Sequence, residues 1–172
     1  MIQPELRKVI REAAFAGLRW PLVVTGKPGT GKTCAGLCVA DHVRGSNWWT
    51  WDDFWRFIAD VNFGRATETR GGEWNQEGGY REVSTSVTWT PKKFWTSFGN
   101  LSLAVIDDVG LRASANDTQY EAMKTALDRR EKIPLIVTSN LDLPELGKIF
   151  DLRIMDRLAS GTVVELTGES RR

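Results

Sequence analysis

The stretch Leu22-Val23-Val24-Thr25-Gly26-Lys27-Pro28-Gly29-Thr30-Gly31-Lys32-Thr33 decides how the rest of the chain is read. Residues 22–24 are an apolar run of the kind a buried strand needs, and residues 26–33 fit G-x-x-x-x-G-K-[ST]. The spacing has a physical basis. A loop that wraps an anion with backbone N–H groups needs angles that glycine adopts without steric cost. The helix expected next, over 34–44, turns the positive end of its dipole to the same point. In such a loop Gly26, Lys27, Pro28, Gly29, Thr30, Gly31, Lys32, Thr33 and Cys34 contact the nucleotide. Lys32 reaches its β- and γ-phosphates and the Thr33 hydroxyl ligates Mg²⁺. The strand before and the helix after argue against a chance glycine-rich turn.

At 172 residues the chain has the size of one domain, 1–172, able to bury its own core. A formal net charge of +1 gives no global field that announces nucleic acid, and leaves room only for a local basic patch. Cys34 and Cys38 lie one helical turn apart. Two ligands do not make a zinc site, so the pair reads as small apolar residues of a reducing compartment. His42, the only histidine, reads as a helix-surface residue, which argues against histidine-based catalysis. There is no secretory signal and no apolar run near spanning length, so the expectation is a cytoplasmic protein with no membrane partner. The eight tryptophans are the compositional oddity.

Residues 4–19 keep helical spacing through Leu6, Val9, Ile10, Ala13, Ala14 and Leu18, so an N-terminal helix is expected within 1–20, with no room for a separate N-terminal domain. Trp48-Trp49-Thr50-Trp51 reads as a second strand, and Asp52 or Asp53 as the cap of a helix over 54–62 whose apolar face is Phe54, Phe57, Ile58 and Val61. Residues 63–91 break the pattern with Gly71-Gly72 and Gly78-Gly79. The alternation of Val83, Thr85, Val87 and Trp89 then predicts a β-hairpin or other ordered insertion. Helices are expected over 91–98, 117–130, 144–150 and 152–159, and strands over 101–106, 134–137 and 162–166. Strands alternating with helices imply right-handed crossovers and a parallel sheet covered on both faces.

Nucleotide hydrolysis needs a carboxylate for the metal and a group to orient the attacking water. Leu103-Ala104-Val105-Ile106-Asp107-Asp108 ends an apolar strand in an acidic pair. A strand buried on both faces fixes that pair at the sheet edge beside the phosphate loop. Asp107 is expected to hold Mg²⁺, directly or through water, and Asp108 is the candidate for polarising the attacking water; the plainer alternative is a helix cap or solvated turn. Asn140, ending the next strand, is placed to bond that water or the γ-phosphate, although asparagine also favours caps and turns. Arg153 and Arg157, four apart, share a helix face. Spacing alone leaves open a solvated basic edge or an arginine finger acting on a neighbouring subunit.

These residues resemble a family. Gly-Lys-Pro-Gly-Thr-Gly-Lys-Thr, then Val-Ile-Asp-Asp-Val-Gly, then Leu-Ile-Val-Thr-Ser-Asn-Leu, then Arg-Ile-Met-Asp-Arg-Leu is similar to the AAA+ ATPases of the DnaC/DnaI/IstB group, which includes helicase loaders and transposition helper ATPases. The resemblance implies an α/β P-loop NTPase of the AAA+/ASCE type, a three-layer sandwich around a parallel five-stranded sheet without a separate lid domain. It implies ATP and Mg²⁺ as cofactors and hydrolysis at a subunit interface. Asn140 falls on the sensor position, Arg157 on the arginine finger, Arg153 on a second interface arginine, and Arg130 on a position that faces a neighbour. The partners implied are a second copy or a partner ATPase, helicase or transposase. Related proteins bind single-stranded DNA between the second strand and the acidic strand. Here Trp74, Tyr80 and Trp89 with Arg70 and Arg81 could stack and pair with it, or the aromatics could fill a small core. Two departures stand out: such proteins usually carry an N-terminal domain or extension that grips the partner, of which almost none is expected here, and the second carboxylate is Asp108 where many relatives have glutamate. The competing reading is an ATP-gated binding module with little turnover. A small-molecule kinase fits less well, because the acidic pair and Asn140 suit water activation.

Overall fold

The structure, a computed structural model, describes residues 17–70, 73–74, 80–81, 85–110 and 114–168. The chain enters the core as β1 (Leu22–Gly26), α1 (Lys32–His42), β2 (Ser46–Thr50) and α2 (Trp51–Asn62). An insertion follows with β3 (Thr67–Arg70), β4 (Glu73–Trp74), β5 (Tyr80–Arg81) and β6 (Thr85–Thr88). The core resumes with α3 (Pro91–Gly99), β7 (Leu103–Val109), α4 (Asp117–Arg129), β8 (Leu135–Ser139), α5 (Leu143–Ile149), α6 (Leu152–Ala159) and β9 (Thr162–Leu166).

The five core strands form one parallel sheet in the order β2-β7-β8-β1-β9. The two-residue period of a strand divides their side chains cleanly. Leu22, Val24, Leu103, Val105 and Ile136 point to the face covered by α1, against Ala35 and the partly buried Val39, Ala40 and Val43. Val23, Ala104, Ile106, Leu135 and Val137 point to the other face, where Phe54, Phe98, Met123, Leu146, Ile154 and Leu158 supply the packing from α2 to α6. The result is a three-layer α/β sandwich.

Local chemistry sets the helix ends. Thr50 caps α2 by accepting the Asp53 N–H at 3.1 Å, so the helix begins at Trp51. This corrects both the expected strand end and the expected cap: Asp52 and Asp53 sit in the first turn, where their charge suits the dipole. Thr90 caps α3 with Pro91 in the first turn. Asn116 with Gln119 and Asp142 with Glu145 form capping boxes on α4 and α5.

Within the insertion β3 pairs antiparallel with β6, and β4 with β5. The expected alternation of Val83, Thr85 and Val87 lies outside the described side chains. The helix expected over 4–19 lies outside the described residues except for residues 17–19, which are not helical; Gly17 takes φ 116° there. Cys34 and Cys38 are exposed rather than packed, because α1 turns Ala35 and Gly36 to the sheet instead. Among the described residues no helix is long and apolar enough to cross a membrane.

Candidate active site

β1 delivers the chain to Gly26, which has φ 144°; a Cβ there would stand 2.5 Å from the Leu166 carbonyl oxygen of β9. Only glycine lets the loop leave the sheet this close to its neighbour. Gly29 and Gly31 take φ 83° and 93°, and Gly31 is the N-cap of α1 with no side chain to offer the helix. Among the described residues the backbone N–H groups of Lys32, Thr33 and Cys34 have no acceptor. Thr30 is folded into the loop, its hydroxyl donating to the Lys27 carbonyl at 2.9 Å. Lys27, Pro28, Thr33 and Cys34 face solvent.

Lys32 is 5% exposed, and its Nζ donates to the carbonyls of Gly26 (2.7 Å) and Lys27 (2.9 Å). Burial lowers its pKa, and the charges of Asp108 and then Asp107 act in the opposite direction. A cation therefore sits at the mouth of the loop, held by neutral carbonyls, with uncapped helix N–H groups beside it. Both features call for an anion.

The acidic pair lies inside β7, one correction to the expected strand end. The register with β8 slips between Ile106 and Val109, and Asp108 takes φ 59°. Strand alternation places Asp107 on the face covered by α1, and its carboxylate is 2% exposed. The Thr138 hydroxyl donates to Asp107 Oδ1 and accepts the Asp108 backbone N–H at 3.0 Å. Asn140 Nδ2 donates to Asp108 Oδ1 at 3.2 Å. Ser139 secures the strand end by donating to the Val109 carbonyl at 2.7 Å and accepting the Leu141 N–H at 3.0 Å. The fold thus brings Lys32, Asp107, Asp108 and Asn140 together at one edge. Thr138 is the site residue that the sequence did not single out; a β-branched residue in a strand gives no signal beyond strand propensity.

The three arginines divide. Arg153 and Arg157 are exposed on α6 while Ile154 and Leu158 pack inward. Arg157 pairs with Asp128 of α4. Asp151 caps α6, its Oδ1 accepting the Ile154 N–H at 2.8 Å, and its other oxygen accepts the Tyr120 hydroxyl of α4 at 2.8 Å. The Ile154 bond, with Tyr120, holds the Asp151 carboxyl below its ordinary value. Arg130 is a correction. It is 1% exposed and cannot face a neighbour; its guanidinium donates to the carbonyls of Phe98, Leu101 and Pro134.

Of the residues read as DNA contacts, Arg70, Trp74, Tyr80 and Arg81 have side chains outside the described residues. Trp89 is half-buried, edge-on to Phe57 and Phe94 at 6.2 and 6.4 Å, with Lys93 Nζ 4.9 Å from its ring centre.

Among the described residues no group of three His, Cys, Asp or Glu side chains could hold a metal by itself. A hydroxyl at Thr33 and a carboxylate at Asp107 suit Mg²⁺, which binds through one or two protein oxygens and takes the rest from phosphate and water. The residues present fit Mg-nucleotide.

A five-stranded parallel sheet in this order, with a glycine loop leading from β1 into α1 and an acidic pair two strands away, is the fold of the AAA+ P-loop NTPases. The particular likeness is to replication proteins. The helicase loader DnaC aligns with a TM-score of 0.64 at 17% identity over 96% of this chain and 86% of that one. DnaI aligns at 0.62 and 19% identity over 98% and 82%. The initiator DnaA, bound to AMPPCP and single-stranded DNA, aligns at 0.70 and 16% identity over 98% and 52%. The chain spans about half the length of the DnaA structures it matches. No family model matches the chain, and no curated protein does.

Proposed function

We propose that the chain binds and hydrolyses Mg-ATP as a DnaC/IstB-like AAA+ protein assisting DNA replication, as a helicase loader, or transposition. The observation that carries this is the meeting of Lys32, from the loop after β1, with the Asp107–Asp108 pair that β8 holds through Thr138 and Asn140. The likeness to DnaC, DnaI and nucleotide-bound DnaA supports it.

Lys32 binds the β- and γ-phosphates, its charge already desolvated and therefore strong toward an anion. Mg²⁺, held by Thr33 and Asp107, would neutralise phosphate charge. Asp108 accepts a hydrogen bond from the attacking water and orients it. Asn140 holds the Asp108 carboxylate in place. Arg157 acts on the γ-phosphate of a neighbouring subunit, which requires it to leave Asp128. Single-stranded DNA, the ligand of the similar DnaA, is the proposed effector, and a helicase, a transposase or a second copy the proposed protein partner.

The test is the ATPase rate against protein concentration, with and without single-stranded DNA, for wild type and Asp108→Asn. The expected result is a specific activity that rises with concentration, is stimulated by DNA, and is lost in Asp108→Asn while nucleotide binding persists. A rate independent of concentration removes the trans role of Arg157. Full biological function in Asp108→Asn would show that ATP gates an adaptor and that turnover is incidental.

A further inference from the structure

We propose that Thr138 is the positioning residue of the acidic pair, one hydroxyl setting the carboxylate of Asp107 and the backbone of Asp108 together. This rests on reading the site as an Mg-nucleotide site and extends it to a residue outside the loop, the acids and Asn140.

Hydrogen-bond stoichiometry fixes what the hydroxyl can do. A threonine hydroxyl carries one proton and two lone pairs. Thr138 is 0% exposed, so solvent takes no part. Accepting the Asp108 N–H at 3.0 Å uses a lone pair. The proton must then find its own acceptor, and Asp107 Oδ1 is that acceptor. The rotation of the Asp107 carboxylate is therefore set from β8, and among the described residues nothing donates to its second oxygen.

The second bond answers a different need. Asp108 sits in the left-handed region at φ 59°, which disfavours residues other than glycine, and the β7–β8 register slips around it. A bulge takes a backbone N–H out of the ladder, and an unpaired N–H at a part-buried position is costly. The Thr138 hydroxyl replaces the missing carbonyl. The methyl group has its own place: Thr138 Cγ2 would lie 3.8 Å from a Cβ added at Gly36, so it packs toward α1, the helix that carries Lys32 and Thr33. Threonine thus ties the acidic strand to β8 and lies against the loop helix at once. Valine keeps this shape and loses both bonds; serine keeps both bonds and loses the methyl.

The experiment compares Thr138→Val and Thr138→Ser with Asp107→Asn as control. The first readout is amide hydrogen exchange at Asp108 without nucleotide, taken relative to Val137 so that lower global stability alone does not count. Thr138→Val should accelerate it about tenfold, the equivalent of one lost hydrogen bond, and Thr138→Ser should leave it near wild type. The second readout is the Mg²⁺ concentration that half-saturates tight binding of a non-hydrolysable ATP analogue. It should rise severalfold in Thr138→Val and return toward wild type in Thr138→Ser, with affinity in EDTA unchanged in both. Unchanged Asp108 exchange in Thr138→Val, or equal impairment by valine and serine, overturns the proposal. If Asp107→Asn raises the Mg²⁺ requirement and Thr138→Val does not, the site reading stands and Thr138 loses its role. If wild type binds no nucleotide, the site reading fails and takes the proposal with it.

Discussion

Replacing Arg130 by methionine separates a structural arginine from an interface arginine. Arg130 follows α4 and is buried, its guanidinium donating to Phe98 O at 3.0 Å, Leu101 O at 2.8 Å and Pro134 O, with a longer contact to Gly99 O at 3.5 Å. Those carbonyls belong to the end of α3, the turn into β7 and the turn into β8, so one side chain ties three connections. Burial pushes its pKa well below the ordinary arginine range, to about 10. At 1.36 kcal/mol per pH unit, keeping the charge there costs about 3 kcal/mol. Nε adds to the cost, being buried with no partner among the described residues. Against this, hydrogen bonds from a charged donor contribute about 1.5–3 kcal/mol each. Taken over the three short bonds they outweigh the desolvation.

Methionine fills much of the volume but leaves the carbonyls without donors and removes the guanidinium 5.7 Å from the Phe98 ring centre. A net loss of about 3 kcal/mol is expected, within the range for breaking a buried network. For a domain of this size that lowers Tm by about 6–12 °C. Arg130→Lys should fall between, since one ammonium cannot reach all the carbonyls. The assay is thermal and urea unfolding, paired with ATPase rate against protein concentration below both transitions. A variant with wild-type Tm that loses only the concentration-dependent rise in turnover would rule out the structural role and restore Arg130 to the interface.

Lys32→Met should leave Tm at pH 7 unchanged or higher while abolishing the Tm rise caused by Mg-ATP. Because the folded state holds the Lys32 proton less tightly than the unfolded chain, the buried charge is a constant cost at neutral pH. Between the lowered pKa and 10.5 the unfolded chain binds more protons, so this group's contribution to stability improves as pH rises through that window; a melt in which Lys32→Met is clearly less stable at pH 7 contradicts it. Gly26→Ala should destabilise the fold, with its Cβ 2.5 Å from Leu166 O, whereas Gly31→Ala has open space around it and pays mainly for φ 93°. Melting both and titrating both with nucleotide distinguishes them: Gly31→Ala keeps most of its Tm, Gly26→Ala does not. Asp128→Asn removes an exposed ion pair worth about 0–1 kcal/mol, so Tm should hold while turnover at assembling concentrations rises up to about fivefold as Arg157 is released; a fall in turnover would show that Asp128 presents Arg157 rather than restrains it.

The core was legible where burial on both faces leaves its mark. Leu22-Val23-Val24, Leu103-Ala104-Val105-Ile106 and Leu135-Ile136-Val137 are continuous apolar runs, and the parallel strands they form need no alternation to be found. Element ends were harder because caps, not cores, decide them. Gly31 starts α1 inside the loop motif, and Thr50 starts α2 before the acidic residues expected to cap it. Arg130 and Thr138 were hidden for a shared reason. Apart from Pro134, which is near Arg130, their partners lie about thirty positions away in sequence, at the α3–β7 turn and on β7. A helix-end arginine ordinarily meets its own last carbonyls or solvent, and nothing local reveals that this one closes the turns of two other elements. Thr138 acquires its role only from the bulge at Asp108, which depends on the β7–β8 register.

The strand order explains why such a register matters. β8 lies between β1 and β7, so the loop strand and the acidic strand stand two strand spacings apart, about 9–10 Å. Had they been neighbours, Lys32 and the carboxylates would close directly into an ion pair, with no room between them. With β8 intervening, the cation of the loop feels Asp108 and Asp107 through space, yet among the described residues it bonds to the carbonyls of Gly26 and Lys27 alone. The end of β8 lies between loop and acids, and Thr138 at that end and Asn140 just past it are the residues bonded to the acids. On this geometry Thr138→Val, which keeps the methyl against α1, alters the acids while leaving the loop in place, and a change at Gly31 does the reverse. Nucleotide affinity without metal and the Mg²⁺ requirement should therefore be separable by mutation. A single residue of β8 that altered both equally would mean that the loop and the acids move as one body.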